Sequence, residues 1–427
     1  MKNLFLIFLI LGSNLSLASN GEHPLKYAKS FNDDNTLLLG KLPQDVLGEM
    51  AKYLGFQDIA QMLLVSKGSE QVFNIMLYQY LQNNKLLIKL NKESDLALLK
   101  RINKISDNFE TQPQPFLAVE TKIINNGDVD KLNNMGKYIS KLNIADDLKS
   151  DKLAALLNTD IAKHFTALNL NPNLNTSIDD MITIMANNTK NLGRLKFLVL
   201  GINIYKDTPY ISNLDKLLQL LNLKSLKFHN WHYLSDKTFI DLALNIRNIE
   251  FLTLTVNDMN INIINKFLAA LPEDNKLKLL NLKNVVRYRT IKITPDDAAI
   301  AIFADGLSKL TKLKRLDLNA IIPKTEIGPE AGYILINELS KLHNLIDLDL
   351  SKIIIPDILK YLADVEGAFT NLEKLNLSST HASIDIVPPR IGQKFPRLKF
   401  LNLSKNRLND EEKNAFKEAF PGVKIIF

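Results

Sequence analysis

A nine-residue pattern of apolar and polar positions, L-x-x-L-x-L-x-x-N, recurs through most of the chain. Well-matched copies are LKFLVLGIN (195–203), IEFLTLTVN (249–257) and LKFLNLSKN (398–406). Ten copies begin at residues 139, 165, 195, 223, 249, 277, 313, 345, 372 and 398. The alternating leucines predict a short strand with one buried face, because strand side chains point alternately to opposite sides.

Segments with helical periodicity lie between the predicted strands. They read IDDMITIMANNT, DKTFIDLALNI, NIINKFLAAL, DDAAIAIFADGL, PEAGYILINEL and DEEKNAFKEAF. The repeating unit and its period, 26 to 36 residues, resemble the leucine-rich repeat. The resemblance implies an α/β fold, a solenoid over residues 136–427 shaped as a horseshoe with parallel strands inside and helices outside. The ending AFPGVKIIF predicts a final partial strand.

The residues between the strand leucines are predicted to face the concave side of this solenoid. Exposed aromatic side chains beside charged ones are typical of binding surfaces. The candidate target-binding residues are Phe197, Lys227, His229, Phe251, Thr253, Arg315, Asp317, Asp347, Asp349 and Phe400. For each of them the alternative is a side chain that packs against its neighbours or is simply solvated.

Residues 39–85 have the periodicity of a small all-α bundle. Pro43 and Asp45 suit the start of a helix, Gly55 suits its end, and Asp58 can cap the next one. Apolar residues recur at helical spacing along both helices, at Leu47, Met50, Tyr53, Leu54, Ile59, Met62 and Val65. Periodicity alone therefore predicts a helical hairpin.

The order of residues in LPQDVLGEMAKYLGFQDIAQMLLVSK (42–67) resembles the F-box, a docking module of ubiquitin ligases. Asp45 stands where the family usually has Glu, and Ser69 stands where it usually has Trp. The resemblance implies that the hairpin binds the adaptor subunit of a cullin–RING (SCF-type) ligase. The residues that would do so are Leu42, Pro43, Asp45, Leu47, Met50, Tyr53, Leu54, Ile59, Met62 and Val65. The alternative is a hairpin that only caps the repeats.

The chain opens with MKNLFLIFLILGSNLSLAS, which has the basic, apolar and small-residue regions of a secretory signal. We predict a signal peptide at 1–18, a linker at 19–38 and a helical connecting segment at 86–135. The apolar run is too short to span a bilayer, and no later segment is predicted to do so. The mature chain is therefore expected to be secreted, without a membrane span.

Composition excludes several kinds of chemistry. The chain has no cysteine, which rules out disulfides, thiolate metal sites and a cysteine nucleophile. Its 53 Lys and Arg are scattered among 46 Asp and Glu, a pattern that does not indicate nucleic-acid binding. His229 and His232 lie close in sequence without a third ligand nearby. We therefore predict no enzyme activity, no cofactor and no metal site.

The hairpin and the repeats together resemble F-box/leucine-rich-repeat substrate receptors. With the signal peptide, they resemble secreted F-box-type effectors of intracellular bacteria, which act in the host-cell cytoplasm. The resemblance implies two protein partners, the ligase adaptor subunit and a target protein on the repeats. The alternative is a secreted or periplasmic repeat protein that binds another protein and uses the hairpin only as an N-terminal cap.

Overall fold

The computed structural model describes a set of segments separated by gaps. They are residues 86–90, 117–121, 139–144, 150–170, 178–201, 211–229, 235–255, 261–283, 296–322, 327–367, 369–382 and 390–427. The predicted signal peptide, the linker and the F-box-like hairpin lie outside the described residues. The chain separates into two compact units, residues 1–119 with 138–140, and residues 120–137 with 141–427. The predicted domain boundary at 135/136 stays a prediction.

The second unit is built on one parallel sheet. The strands are β3 (Ile139–Ile144), β4 (Ala167–Leu170), β5 (Phe197–Gly201), β6 (Ser225–His229), β7 (Phe251–Leu254), β8 (Leu279–Asn281), β9 (Arg315–Asp317), β10 (Asp347–Asp349), β11 (Lys374–Asn376), β12 (Phe400–Asn402) and β13 (Lys424–Ile426). Each strand pairs in parallel with the next one in the chain, and the sheet does not close on itself. β13 confirms the predicted final strand.

Two earlier strands correct part of the sequence interpretation. The sequence predicts a helical segment over 86–135, but the structure has β1 (Leu86–Leu90) and β2 (Leu117–Thr121) within it. The stretches LLIKL and LAVET contain β-branched residues, which favour an extended backbone. The helical interpretation is therefore wrong for these two stretches, and the rest of the segment lies outside the described residues.

Helices connect consecutive strands. They are α1 (Ser150–Leu157), α2 (Ile178–Asn187), α3 (Leu214–Leu220), α4 (Asp236–Asn245), α5 (Ile261–Ala270), α6 (Asp297–Ser308), α7 (Pro329–Ser340), α8 (Ile358–Asp364) and α9 (Asp410–Ala419). The six helical patterns found in the sequence correspond to α2, α4, α5, α6, α7 and α9. Two 3₁₀ helices also occur: Asp160–His164 follows α1, and Ile391–Lys394 lies between β11 and β12.

The core lies between the sheet and the helices. The repeat leucines are buried in every described repeat, as with Leu198, Leu226 and Leu316. Aromatic side chains fill the layer between neighbouring repeats; the rings of Phe239 and Phe267 meet edge to face with their centroids 6.4 Å apart. Parallel strands, intervening helices and this leucine core make the second unit an α/β leucine-rich-repeat solenoid.

The asparagine at the ninth repeat position holds the turn after the strand. Asn406 is buried, and its Nδ2 donates to the carbonyl oxygens of Leu377 at 2.7 Å and Leu403 at 2.9 Å. Its Oδ1 accepts a hydrogen bond from the backbone N–H of Thr380 at 2.8 Å. The side chain of Asn406 thus bonds backbone groups of two successive repeats.

Candidate functional site

The open face of the sheet carries side chains in regular rows. We call it the open face because its residues alternate along each strand with the buried leucines. The first outward position forms row 1, which contains Phe197, Ser225, Phe251, Leu279, Arg315, Asp347, Lys374 and Phe400. The second forms row 2, which contains Asn169, Val199, Lys227, Thr253, Asn281, Asp317, Asp349, Asn376 and Asn402. Neighbours in a row are about 4.8 Å apart, the spacing of adjacent strands.

The N-terminal half of row 1 is apolar and exposed. Phe197 is 47% exposed and Phe251 is 40% exposed, although both are large hydrophobic residues. Ser225 lies between them in register, so their backbones are about 10 Å apart. Leu279 continues the row in a half-buried position. The sequence prediction of two exposed aromatics on one face agrees with these positions.

The C-terminal half of row 1 is charged with alternating sign. Arg315, Asp347 and Lys374 are consecutive register partners on three neighbouring strands. Burial raises the pKa of Asp347, while the cations of Lys374 and Arg315 act in the opposite direction. Phe400 follows Lys374 and is half-buried, in contrast to the two exposed phenylalanines.

Asp317 and Asp349 face each other in row 2 on adjacent strands. Burial raises the pKa of Asp317; the backbone N–H of Asn319 opposes the rise, and the Asp349 carboxylate adds to it. Asn281 Nδ2 donates to Asp317 Oδ2 at 2.8 Å, and Asn376 Nδ2 donates to Asp349 Oδ2 at 2.9 Å. Each carboxylate is therefore bound by an amide of the outer neighbouring strand, β8 or β11, and the two carboxylates remain adjacent to each other.

Five of the polar residues in row 2 also end their strands. Asp317 Oδ1 accepts from the backbone N–H of Asn319 at 2.9 Å, and Asp349 Oδ1 accepts from that of Ser351 at 2.8 Å. The same bond to the residue two positions later occurs at Asn281, Asn376 and Asn402. Such side chain–backbone bonds turn the chain away from the strand. These residues have a structural role that the sequence prediction did not include.

The remaining predicted residues lie in the middle strands. Lys227 and Thr253 are half-buried neighbours in row 2. His229 is half-buried at the end of β6, in register with Gly201. Burial is the main cause that lowers the pKa of His229, and the nearby Lys227 adds to it. This shift favours the neutral imidazole, which offers one donor and one acceptor to a partner.

One charged feature beside row 1 is absent from the sequence prediction, because that prediction includes only residues between the strand leucines. Glu250 lies next to Phe251 and forms ion pairs with Lys224 at 3.1 Å and Lys278 at 2.6 Å. Hydrogen bonds from Lys278 and then from Lys224 are the largest causes that lower the pKa of the Glu250 carboxyl. The sequence does contain a signal for this cluster, because Lys224, Glu250 and Lys278 each directly follow the first leucine or isoleucine of their repeats.

In the described part of the chain, no group of three or more His, Asp or Glu side chains is arranged to hold a metal ion. Across the same segments, every helix is too short or too polar to span a bilayer. The predicted adaptor-binding residues, from Leu42 to Val65, lie outside the described residues.

No protein-family model matches this chain, and no curated protein matches it. The chain is similar to a solved structure of the yeast Rad7–Elc1 complex, with 17% sequence identity, a TM-score of 0.48, and coverage of 91% of this chain and 89% of that chain. It is also similar to a leucine-rich-repeat protein of Leptospira interrogans, with 16% identity, a TM-score of 0.29, and coverage of 82% and 98%. At these scores, neither similarity bears on what this chain binds.

Proposed function

We propose that this chain is a non-catalytic receptor that holds a target protein on the open face of its repeats. The observation that carries the proposal is the exposure of Phe197 and Phe251 in one row of that face. Large apolar side chains exposed together on a soluble domain mark interaction surfaces. Aromatic anchors commonly contribute most of the binding free energy of an interface.

The surroundings of these rings also suit a protein partner. Row 1 continues from the phenylalanines into Arg315, Asp347 and Lys374, which alternate in charge. An apolar centre with charged neighbours is the usual composition of a protein–protein interface. Charged neighbours set the orientation and the choice of partner more than the affinity.

The second half of the proposal concerns residues 39–85. Their resemblance to the F-box supports a hairpin that binds the adaptor subunit of a cullin–RING ubiquitin ligase. The absence of cysteine excludes a ubiquitin thioester on this chain, so other subunits of the ligase would transfer ubiquitin. The signal-like segment 1–18 supports export, and a ligase adaptor would then be met in the cytoplasm of a eukaryotic host cell.

The test is a pull-down of the full chain with a purified adaptor subunit of a eukaryotic cullin–RING ligase. The variant Leu42→Ala/Pro43→Ala changes the start of the hairpin. Phe197→Ser/Phe251→Ser is the matched control, because it alters only the open face. We expect adaptor binding by the wild type and the control and its loss in the hairpin variant. Absence of binding by a folded wild-type chain would overturn the ligase proposal and leave a repeat protein with a hairpin cap.

A further inference from the structure

A basic edge borders row 1 from β5 to β9. Here the residue directly after the first leucine or isoleucine of each repeat is Lys196, Lys224, Glu250, Lys278 or Lys314. We call these five residues the rim. The residues directly before the same leucines add Arg194, Lys276 and Lys312. The rim positions and the positions directly before the same leucines number ten in all, and they hold seven cations, one anion and two asparagines. The whole chain, by comparison, has 53 Lys and Arg against 46 Asp and Glu.

Backbone hydrogen bonds fix the spacing of the rim. The N–H of Lys224 donates to the carbonyl oxygen of Lys196 at 2.8 Å, and that of Glu250 donates to Lys224 at 2.9 Å. The series continues from Lys278 to Glu250 and from Lys314 to Lys278, each at 2.8 Å. The rim residues are thus held one strand apart, and the rim spans about 19 Å over four strand steps.

The ion pairs within the rim leave most of its charge uncompensated. Glu250 forms ion pairs with both Lys224 and Lys278, so one carboxylate serves two ammonium groups. No described carboxylate forms an ion pair with Lys196 or Lys314 at the two ends. Lys278 and Lys314 are exposed, and Lys196 is half-buried. Four lysines and one glutamate leave the rim with a net charge of +3, and an anionic partner would meet Lys196 and Lys314 at its two ends.

The rim and the exposed phenylalanines form one surface. The N–H groups of Lys196 and Phe197 both donate to the carbonyl oxygen of Thr166, and those of Glu250 and Phe251 both donate to that of Lys224. The regular alternation of the strand is interrupted at these pairs, as in a β-bulge, which holds each rim residue beside its phenylalanine. A polyproline II segment brings every third side chain to the same side after about 9 Å. That interval matches the separation of about 10 Å between Phe197 and Phe251, and about six such residues span the rim.

The C-terminal end of the rim limits the length of the anion. Asp317 lies on β9, the last strand of the rim, and Asp347 and Asp349 follow on β10; Arg315 and Lys374 offset only part of these three negative charges. The three carboxylates would repel a nucleic-acid backbone that continued along the sheet, because every nucleotide carries a negative charge. A short acidic peptide can end before them, whereas a long polyanion cannot.

We infer that the rim and the Phe197–Phe251 row bind an extended acidic segment of the target protein. The segment has two apolar residues three positions apart. This inference rests on the proposed function, since it names the class of partner for the same open face.

The experiment measures fluorescence anisotropy of a labelled peptide with the full chain. The probe is rich in Glu and carries Leu at positions i and i+3; the comparison probes replace Glu with Lys or are oligothymidine. The rim variant is Lys196→Glu/Lys314→Glu. The control Lys266→Glu/Lys360→Glu makes the same change in charge at exposed positions of α5 and α8. We expect the rim variant to weaken binding of the acidic peptide about tenfold and the control less than about twofold.

Stronger binding of the Lys peptide or of oligothymidine would overturn the inference, as would equal binding by the rim variant and the control. Wild-type binding of the acidic peptide by Phe197→Ser/Phe251→Ser would also overturn the inference, because the rings are part of the proposed surface. Failure of the proposed ligase function gives a different result, a negative adaptor pull-down. A positive pull-down with no binding of the acidic peptide overturns the partner class alone.

Discussion

The Oδ1 atom of Asn406 accepts a hydrogen bond from the backbone N–H of Thr380, 26 residues earlier, at a distance of 2.8 Å. The same side chain donates to carbonyl groups of both repeats. One buried amide thus satisfies three backbone groups and joins two successive turns.

Asn406→Ala is expected to lower the free energy of unfolding by about 3 kcal/mol, because three buried backbone groups lose their partner. Asn402→Ala is the control. Asn402 is half-buried and accepts one hydrogen bond, from the N–H of Ser404, so its loss should cost about 1 kcal/mol. Urea unfolding followed by circular dichroism measures both variants. Equal losses would contradict the assigned role of Asn406.

Gly392 is a position where only hydrogen fits. A Cβ there would lie 2.1 Å from the carbonyl oxygen of Ala419, a backbone atom that α9 holds in place. Gly392→Ala should therefore cost about 3 kcal/mol of stability. At Gly193 the nearest atom to such a Cβ is 3.9 Å away, so Gly193→Ala should leave stability unchanged or slightly raised. Thermal melting of the pair tests this, and a destabilised Gly193→Ala would refute the steric explanation.

The two exposed phenylalanines should contribute little to folding. Phe197→Ser/Phe251→Ser is expected to change the free energy of unfolding by no more than about 1 kcal/mol, because both side chains already contact solvent. The fully buried Phe228 provides the contrast, since Phe228→Ala should cost about 4 kcal/mol. Denaturant titration measures the free energy of unfolding of both variants. If the double variant were as unstable as Phe228→Ala, the rings would belong to the core and not to a binding surface.

Asp317 should make stability depend on pH in a defined direction. Its pKa is raised in the folded chain above the ordinary value of 3.8, so the folded state holds the proton more tightly than the unfolded state. Stability from this group therefore falls as pH rises from 3.8 through the folded pKa. Asp317→Asn removes the ionised form and should melt higher than the wild type at pH 7.

Below pH 3.8 the difference should disappear, because both states then hold the proton. Asp364→Asn, an exposed carboxyl at the end of α8, serves as the control for a general change of charge. Melting curves between pH 3 and pH 8 test the prediction. A wild-type chain more stable than Asp317→Asn at pH 7 would show that the carboxylate hydrogen bonds outweigh the cost of burial.

Much of this arrangement follows from the leucine spacing. Leu198, Leu226 and Leu316 are buried at equivalent positions, so the residues between leucines necessarily share the other face. Periodicity also located α2 and α9, whose apolar faces repeat at helical spacing. β1 and β2 lie before residue 139, where the first copy of the L-x-x-L-x-L-x-x-N unit begins, so the repeat pattern does not predict them.

The roles of single polar residues were harder to predict. The sequence predicts Asp317 and Asp349 as partner-binding residues, yet both accept backbone hydrogen bonds where their strands end. Strand length decides this role. β9 has three residues and β5 has five, but the repeat leucines stand at the same positions in both, so the leucine pattern does not show where a strand ends. The rim was missed for a different reason: each of its lysines is ordinary alone, and only the sheet brings them into one line.

The register of the sheet places one residue of each repeat in every row. Residues 225–250 form one complete unit, from Ser225 to the residue before Phe251. Removal of that unit would bring Phe197 and Phe251 onto adjacent strands, about 5 Å apart, without altering either residue. The distance between two anchors can thus change in whole strand steps when repeats are gained or lost. In such a protein, the number of repeats between two side chains is itself a determinant of ligand length.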